Sequence, residues 1–143
     1  MRLQKIYSQG KIINSDLYKR LQDLDAKVFY ECGNEFKKNR DWWVIVKDNQ
    51  IVAYCGCLYS NTENICIFVR AWVYEPYRGK GLQRRMITTR IQAAKKNKRS
   101  QVITYTLTDN PISANNLIKR WFRVYEPQHK WVGKGVIYFI KSV

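Results

Sequence analysis

Apolar positions recur along the chain at two spacings, and each change of spacing marks a new element. Leu17, Leu21, Leu24 and Val28 follow at intervals of four, three and four behind Asn14-Ser15-Asp16, which predicts an N-capped amphipathic helix. Before it, residues 3–7 read as a strand. Residues 42–46 and 51–59 are β-rich runs joined by Lys47-Asp48-Asn49-Gln50, whose Asp-Asn centre suits a tight hairpin. A second turn over residues 60–64 leads to a third run at 65–73, completing an antiparallel meander. The helical interval returns near Gly79, with Leu82, Met86, Ile87, Ile91 and Ala94 on one stripe. Residues 101–108 alternate as a strand does, and Asp109-Asn110-Pro111 turns the chain. Residues 113–121 suit a short helix, and 122–125 and 135–143 two closing strands.

Composition adds bounds to this outline. A chain of 143 residues fits one domain, and no linker-like stretch or repeat divides it. Apolar stretches such as 42–46 and 66–69 fall far short of the roughly 20 residues of a membrane span. Met1-Arg2-Leu3-Gln4-Lys5 leads into polar residues without the apolar core of a secretory signal, so a cytoplasmic protein is expected. The four cysteines, Cys32, Cys55, Cys57 and Cys66, lack zinc-site spacing and read as reduced thiols, with no metal expected. His129, the one histidine, falls in a polar loop and reads as exposed.

The net charge of +15 favours polyanions: nucleic acid, acidic surfaces, or the phosphates of a cofactor. A merely solvated basic surface would look the same. Nine of the 26 basic residues lie between Arg78 and Arg99, and no acid occurs from Arg78 through Thr108. Arg84, Lys95 and Arg99 avoid the apolar stripe, so this basic helix could meet tRNA or another polyanion.

Chemistry concentrates in Arg78-Gly79-Lys80-Gly81-Leu82-Gln83, between a strand and a helix. The first amides of a helix have no intrahelical acceptor, and two glycines let the backbone approach an anion closely. Arg78 and Lys80 add positive charge, so the segment reads as a pyrophosphate cradle. A Walker loop needs Ser or Thr after Gly-Lys, and here Gly81 follows. A dinucleotide fingerprint needs a third glycine where Arg84 stands, and the meander before it is wrong for a βαβ unit.

Arg78 to Gln83 resembles the cofactor motif of the GNAT acetyltransferase superfamily, Arg or Gln, two residues, Gly, one residue, then Gly or Ala, with Gln83 departing at the last place. The segment from Asn110 to Asn116, followed by Trp121-Phe122, is similar to the family's second motif, with Trp121 in place of a glycine. The order of elements agrees over nearly the whole chain. The resemblance implies one acetyltransferase domain over residues 1–143, of mixed α/β (α+β) class. Its central sheet would be largely antiparallel, flanked by helices and splayed between the fourth and fifth strands.

It further implies that Ala71, Trp72 and Val73 offer strand backbone to the pantetheine of acetyl-CoA, and that the amides from Arg78 to Gln83, Leu82 included, hold the pyrophosphate. Asn110 would bond the pantetheine side, with Ser113 near the cofactor, although Asn110 also suits a helix cap. The family's usual acid, a tyrosine, is replaced by Leu117, so the catalytic acid and base are unassigned. Glu63, Tyr105 and Tyr125 are candidates. The expected activity is acetyl transfer to a primary amine on a small molecule, a protein or an aminoacyl-tRNA, by direct attack on the thioester. Other readings are a GNAT-like module binding acetyl-CoA or nucleic acid without turnover, and a basic interaction protein with no cofactor. Expected partners are acetyl-CoA, the acceptor, a polyanion on the basic helix and, for a homodimer, a second copy.

Overall fold

Asn14 sets where the first helix begins. In the computed structural model, which describes residues 1–143, its Oδ1 accepts the Leu17 amide at 3.0 Å. Helix α1 runs Ser15–Val28 and buries Leu17 and Leu21. Asp25 is buried on the same face, which the apolar spacing did not foretell.

Strands β1 (Leu3–Ser8), β2 (Lys11–Ile12), β3 (Arg40–Lys47), β4 (Gln50–Tyr59), β5 (Ile65–Val73), β6 (Gln101–Leu107), β7 (Arg123–Val124) and β8 (Val136–Ser142) form one sheet in the order β2-β1-β3-β4-β5-β6-β8-β7. Asp48 and Asn49 turn the β3–β4 hairpin at φ 50° and 60°, as the tight turn requires. The short β2 was not expected. It exists because Gln9 and Gly10, at φ 46° and 97°, fold the chain back onto β1.

Side chains alternate between the two faces of the sheet. Trp42, Val44 and Tyr54 pack under α1, whereas Trp43, Ile45 and Cys55 face α2 (Leu82–Lys96) and its stripe of Met86, Ile87 and Ala94. The second helix starts at Leu82 rather than near Gly79. Gly79 and Gly81 hold φ of 75° and 79°, left-handed values that interrupt helical geometry, and a 3₁₀ turn, Glu75–Tyr77, precedes them. Helix α3 spans Pro111–Ile118, beginning and ending earlier than expected. Pro111 suits a first helical turn, and Trp121 stands at φ 69°, outside helical geometry. No helix is long and apolar enough to cross a membrane.

Two irregularities shape the middle of the sheet. The β4–β5 register shifts between Cys55 and Gly56 as Arg70, at φ 53°, bulges out of the ladder. The parallel β5–β6 pairing holds only at Ile65↔Gln101, Cys66↔Val102 and Ile67↔Ile103. Beyond Ile67 the strands part, while β6 stays paired to β8 as far as Leu107↔Val136. This is the expected splay. Along the unpaired edge of β6, Tyr105 and Leu107 are exposed and Thr104 and Thr106 buried, because successive side chains point to opposite faces of the sheet.

Candidate functional site

The splay opens into a cleft of about 490 Å³. Val69, Arg70 and Ala71 of β5 form one wall and residues 104–107 of β6 the other, with Ile87 and Arg90 of α2 beneath. Gln83, Asn110, Ser113 and Leu117 line one part; Phe29, Cys32, Glu35, Trp131 and Val132 line another. A second hollow of about 600 Å³ lies against the β7–β8 connection. It shares only Val132 with the cleft and includes nothing from α2, so the cleft is the better candidate.

Along β5, Ala71, Trp72 and Val73 pair with β4 on one side only, through Cys55, Tyr54 and Ala53. Their other edge faces the gap left by β6, where an extended ligand could take the missing strand's place. The Val73 carbonyl accepts the Arg78 Nε at 3.0 Å, which fixes Arg78 across the base of the Gly79–Gly81 loop. Gly79 and Lys80 are exposed, Gly81 is half-buried, and no side chain caps the N-terminus of α2. Its leading amides are therefore available to an anion.

Gln83, which breaks the motif, has a structural task. Its Nε2 donates to Ser113 Oγ at 3.0 Å and its Oε1 accepts from Asn116 Nδ2 at 2.9 Å. The start of α2 is thereby tied to α3. Asn110 caps α3 by accepting the Ser113 amide at 3.2 Å and lines the cleft as well, so both of its expected roles are open to it. Leu82 turns inward and is buried.

The three candidates for proton transfer are scattered. Tyr105 lines the cleft, and burial together with the neighbouring Cys32 pushes its phenol up, against a lowering by Arg70. It stays protonated at neutral pH and can donate a proton. Tyr125 lines the second hollow and is also pushed up, by burial and then by Tyr138. Glu63 is exposed in the turn before β5 and does not line the cleft. His129 is exposed in the β7–β8 connection.

Sequence reasoning passed over the arginines that define the cleft. Arg70 donates from Nε to Asp25 Oδ1 at 3.0 Å and from Nη2 to the Gly33 carbonyl at 2.6 Å, so it straps residues 29–34 to the bulge. Asp25 also accepts from the Tyr54 hydroxyl at 2.7 Å, and burial followed by that bond raises the Tyr54 phenol far above its ordinary value. Glu35 is held by Arg40 at 2.9 Å. Arg90 lies buried on α2 without a carboxylate. A buried Asp on a helix face, or an Arg within a strand, leaves no periodic signature in one sequence. Arg99, expected on the outer face of the basic helix, is instead half-buried and spends Nη1 on the Ser60 and Glu63 carbonyls at 2.8 and 3.1 Å. Arg84 and Lys95 are exposed.

No group of three or more His, Cys, Asp or Glu side chains gathers to hold a metal. A phosphate-bearing thioester with a long polar arm fits what is present: a free strand edge, a cleft, and uncapped amides beside Arg78 and Lys80.

Solved structures share this architecture. Tetrahymena GCN5 superposes with a TM-score of 0.73 at 14% identity, covering 99% of this chain and 96% of its own. A Bacillus subtilis acetyltransferase in complex with CoA gives 0.67 at 14%, covering 99% and 98%. Escherichia coli ElaA gives 0.69 at 17%, covering 98% of each chain. No curated protein is detectably similar in sequence. The model of the acetyltransferase (GNAT) family matches residues 7–121, and with the splayed sheet and glycine-hinged helix N-terminus already in view, the chain belongs to that family.

Proposed function

We propose that the chain is an acetyl-CoA-dependent N-acetyltransferase that acts on a primary amine, with residues 1–143 working as one domain. One observation carries this reading: the gap beside Ala71–Val73 runs out at a helix N-terminus whose amides are free because Gly79 and Gly81 turn left-handed. The CoA bound to the Bacillus subtilis relative supports the choice of cofactor.

When bound, acetyl-CoA supplies an acetyl carbon activated as a thioester. The backbone from Ala71 to Val73 would align the pantetheine, and the amides from Arg78 to Gln83 would take the pyrophosphate, with Arg78 and Lys80 adding charge. Asn110 would use its free amide on the pantetheine, beside Ser113. The bulge at Arg70 frees backbone groups where the thioester carbonyl needs polarisation. The acceptor must arrive as a neutral amine, because a protonated one has no lone pair. Phe29, Cys32, Glu35 and Trp131 would form its entrance, and Tyr105 is the cleft phenol able to hold a proton.

Incubation of the protein with radiolabelled acetyl-CoA and cell lysate tests this directly. Label should appear in the protein, RNA or small-molecule fraction and vanish with Gly81→Asp, whose carboxylate repels pyrophosphate. The labelled fraction names the acceptor class. RNA label would point to aminoacyl-tRNA reaching the exposed Arg84 and Lys95. Label that is absent, or indifferent to Gly81→Asp, overturns the reading. Fractionation of cells and sedimentation of the protein test the cytoplasmic location and the homodimer that we propose alongside it. A second reading, a module that binds acetyl-CoA or nucleic acid without turnover, draws on Leu117, which gives the cleft no proton where the family has a tyrosine. It predicts tight CoA binding with no release of free thiol.

A further inference from the structure

We propose that Arg90 stabilises the thiolate of coenzyme A as it leaves, taking over by charge the task that a protonating tyrosine would perform. This rests on the cofactor reading above.

Arg90 is 3% exposed yet lines the cleft. Its Nε donates to the Met86 carbonyl at 3.1 Å, and Nη1 donates to the carbonyls of Gly56 and Arg70 at 3.3 and 3.2 Å. Its guanidinium lies 4.0 Å over the Phe68 ring. All of these partners are neutral, and no carboxylate pairs with it. A guanidinium cannot shed its proton, and burying one without a counter-ion is costly. The cost differs sharply from that of Arg70, at the same cleft, whose charge Asp25 cancels. Arg90 therefore keeps its field, in surroundings where charges interact more strongly than in water.

The carbonyls it meets are those of the bulge. Gly56 O and Arg70 O flank the register shift, so Arg90 sits beneath the part of β5 that faces the gap. As the amine lone pair attacks the acetyl carbon, the C–N bond forms, the C–S bond breaks and sulfur departs with the electron pair. The amine proton goes to water. A fixed positive charge beside the sulfur stabilises that electron pair without a proton being transferred to it. Leu117, buried in the cleft lining, has no proton to give.

Other charged or titratable groups face the same space. Arg70 is cancelled by Asp25 and Glu35 by Arg40, leaving the Cys32 thiol and the Tyr105 phenol. On the core side, Cys55 and Cys66 feel Arg90 as a lowering influence that burial outweighs at Cys55, and that the Cys57 hydrogen bond and burial together outweigh at Cys66.

The test reads the thiol rather than turnover. Thiolate absorbance of bound CoA is followed against pH, with a dethio-CoA complex subtracting the protein's own tyrosines and cysteines. Bound CoA should show a thiolate fraction at pH 7 about tenfold that of free CoA. Arg90→Gln should lose the gain and Arg90→Lys should keep part of it, with calorimetric CoA affinity changing little. A role confined to holding the bulge would leave the thiol unmoved. A wild-type thiol no more acidic than free CoA overturns the proposal whichever variants fold, and so does an equal gain in Arg90→Gln. Absence of CoA binding to the wild type instead overturns the cofactor reading, and this proposal with it.

Discussion

The two stretches of chain on either side of Arg78 handle buried charge in opposite ways. Before it stand 11 basic and nine acidic residues; from Arg78 onward stand 15 and two. In the first stretch, buried polar groups are met by carboxylates. Asp25 serves Tyr54 and Arg70, Asp41 accepts from Ser8 and Tyr59 at 2.7 and 2.6 Å with Lys5 at 3.4 Å, and Glu35 holds Arg40. In the second, the buried and half-buried cations reach only carbonyls, Arg90 on the bulge and Arg99 on the turn before β5, and the carboxylate of Glu126 meets Lys130 at the surface. The first arrangement gives stiffness at no net charge. The second leaves a positive field beside the cleft, and excess positive charge on the surface.

Removing a carboxylate from the first stretch should have the largest effect on stability. Asp25→Asn keeps the shape but strands Arg70 in a site where its side chain is 9% exposed. A loss of about 3–5 kcal/mol is expected by urea denaturation. Arg70→Met in the same chain should restore part of it, and a double variant no more stable than Asp25→Asn would break the comparison.

Next comes a contest between burial and the field of Arg90. Cys55 is fully buried, and burial pushes its thiol from an ordinary 9.0 up to about 12, although Arg90 pulls the other way. The folded state thus holds this proton more tightly than the unfolded state. Stability should be intact below pH 9 and decline as pH rises from 9 towards 12. Cys55→Ala should flatten part of that decline, measured as a denaturation midpoint against pH. A thiol-reactive dye at pH 8 should modify only the exposed Cys32 in the native protein and all four cysteines after unfolding.

The smallest effect tests a feature that neither arrangement explains. Trp121 is 84% exposed and holds φ 69°, a conformation that costs a side-chain-bearing residue about 1 kcal/mol. Trp121→Gly should raise stability by about that amount in thermal melts. A drop instead would mean that the indole has a packing role.

What one sequence revealed follows from how each feature is encoded. The helix stripes, the Asp48-Asn49 hairpin and the glycine pair before α2 are local patterns a few residues wide, and each was legible. Helix edges were read less well, because Pro111 and the left-handed glycines act on single residues rather than through periodicity. The splay was expected only through resemblance; no spacing in residues 65–73 encodes where β5 leaves β6. Asp25, Arg70 and Arg90 were missed for a shared reason. Their meaning lies in partners 20 to 45 positions away, and nothing in the local pattern distinguishes them from solvated charges.

The three-residue seam between β5 and β6 divides the molecule into two hydrogen-bonded ladders. One, β2-β1-β3-β4-β5, is joined by short turns except where α1 intervenes between β2 and β3. The other must wait for β8, near the end of the chain, to pair with β6. Sheets joined so narrowly exchange their amide protons as separate cooperative units. The first ladder should remain protected from deuterium under mild denaturant after β6 and β8 have begun to exchange. A ligand bridging the gap would slow both to a common rate, acting as the seam's missing stitches.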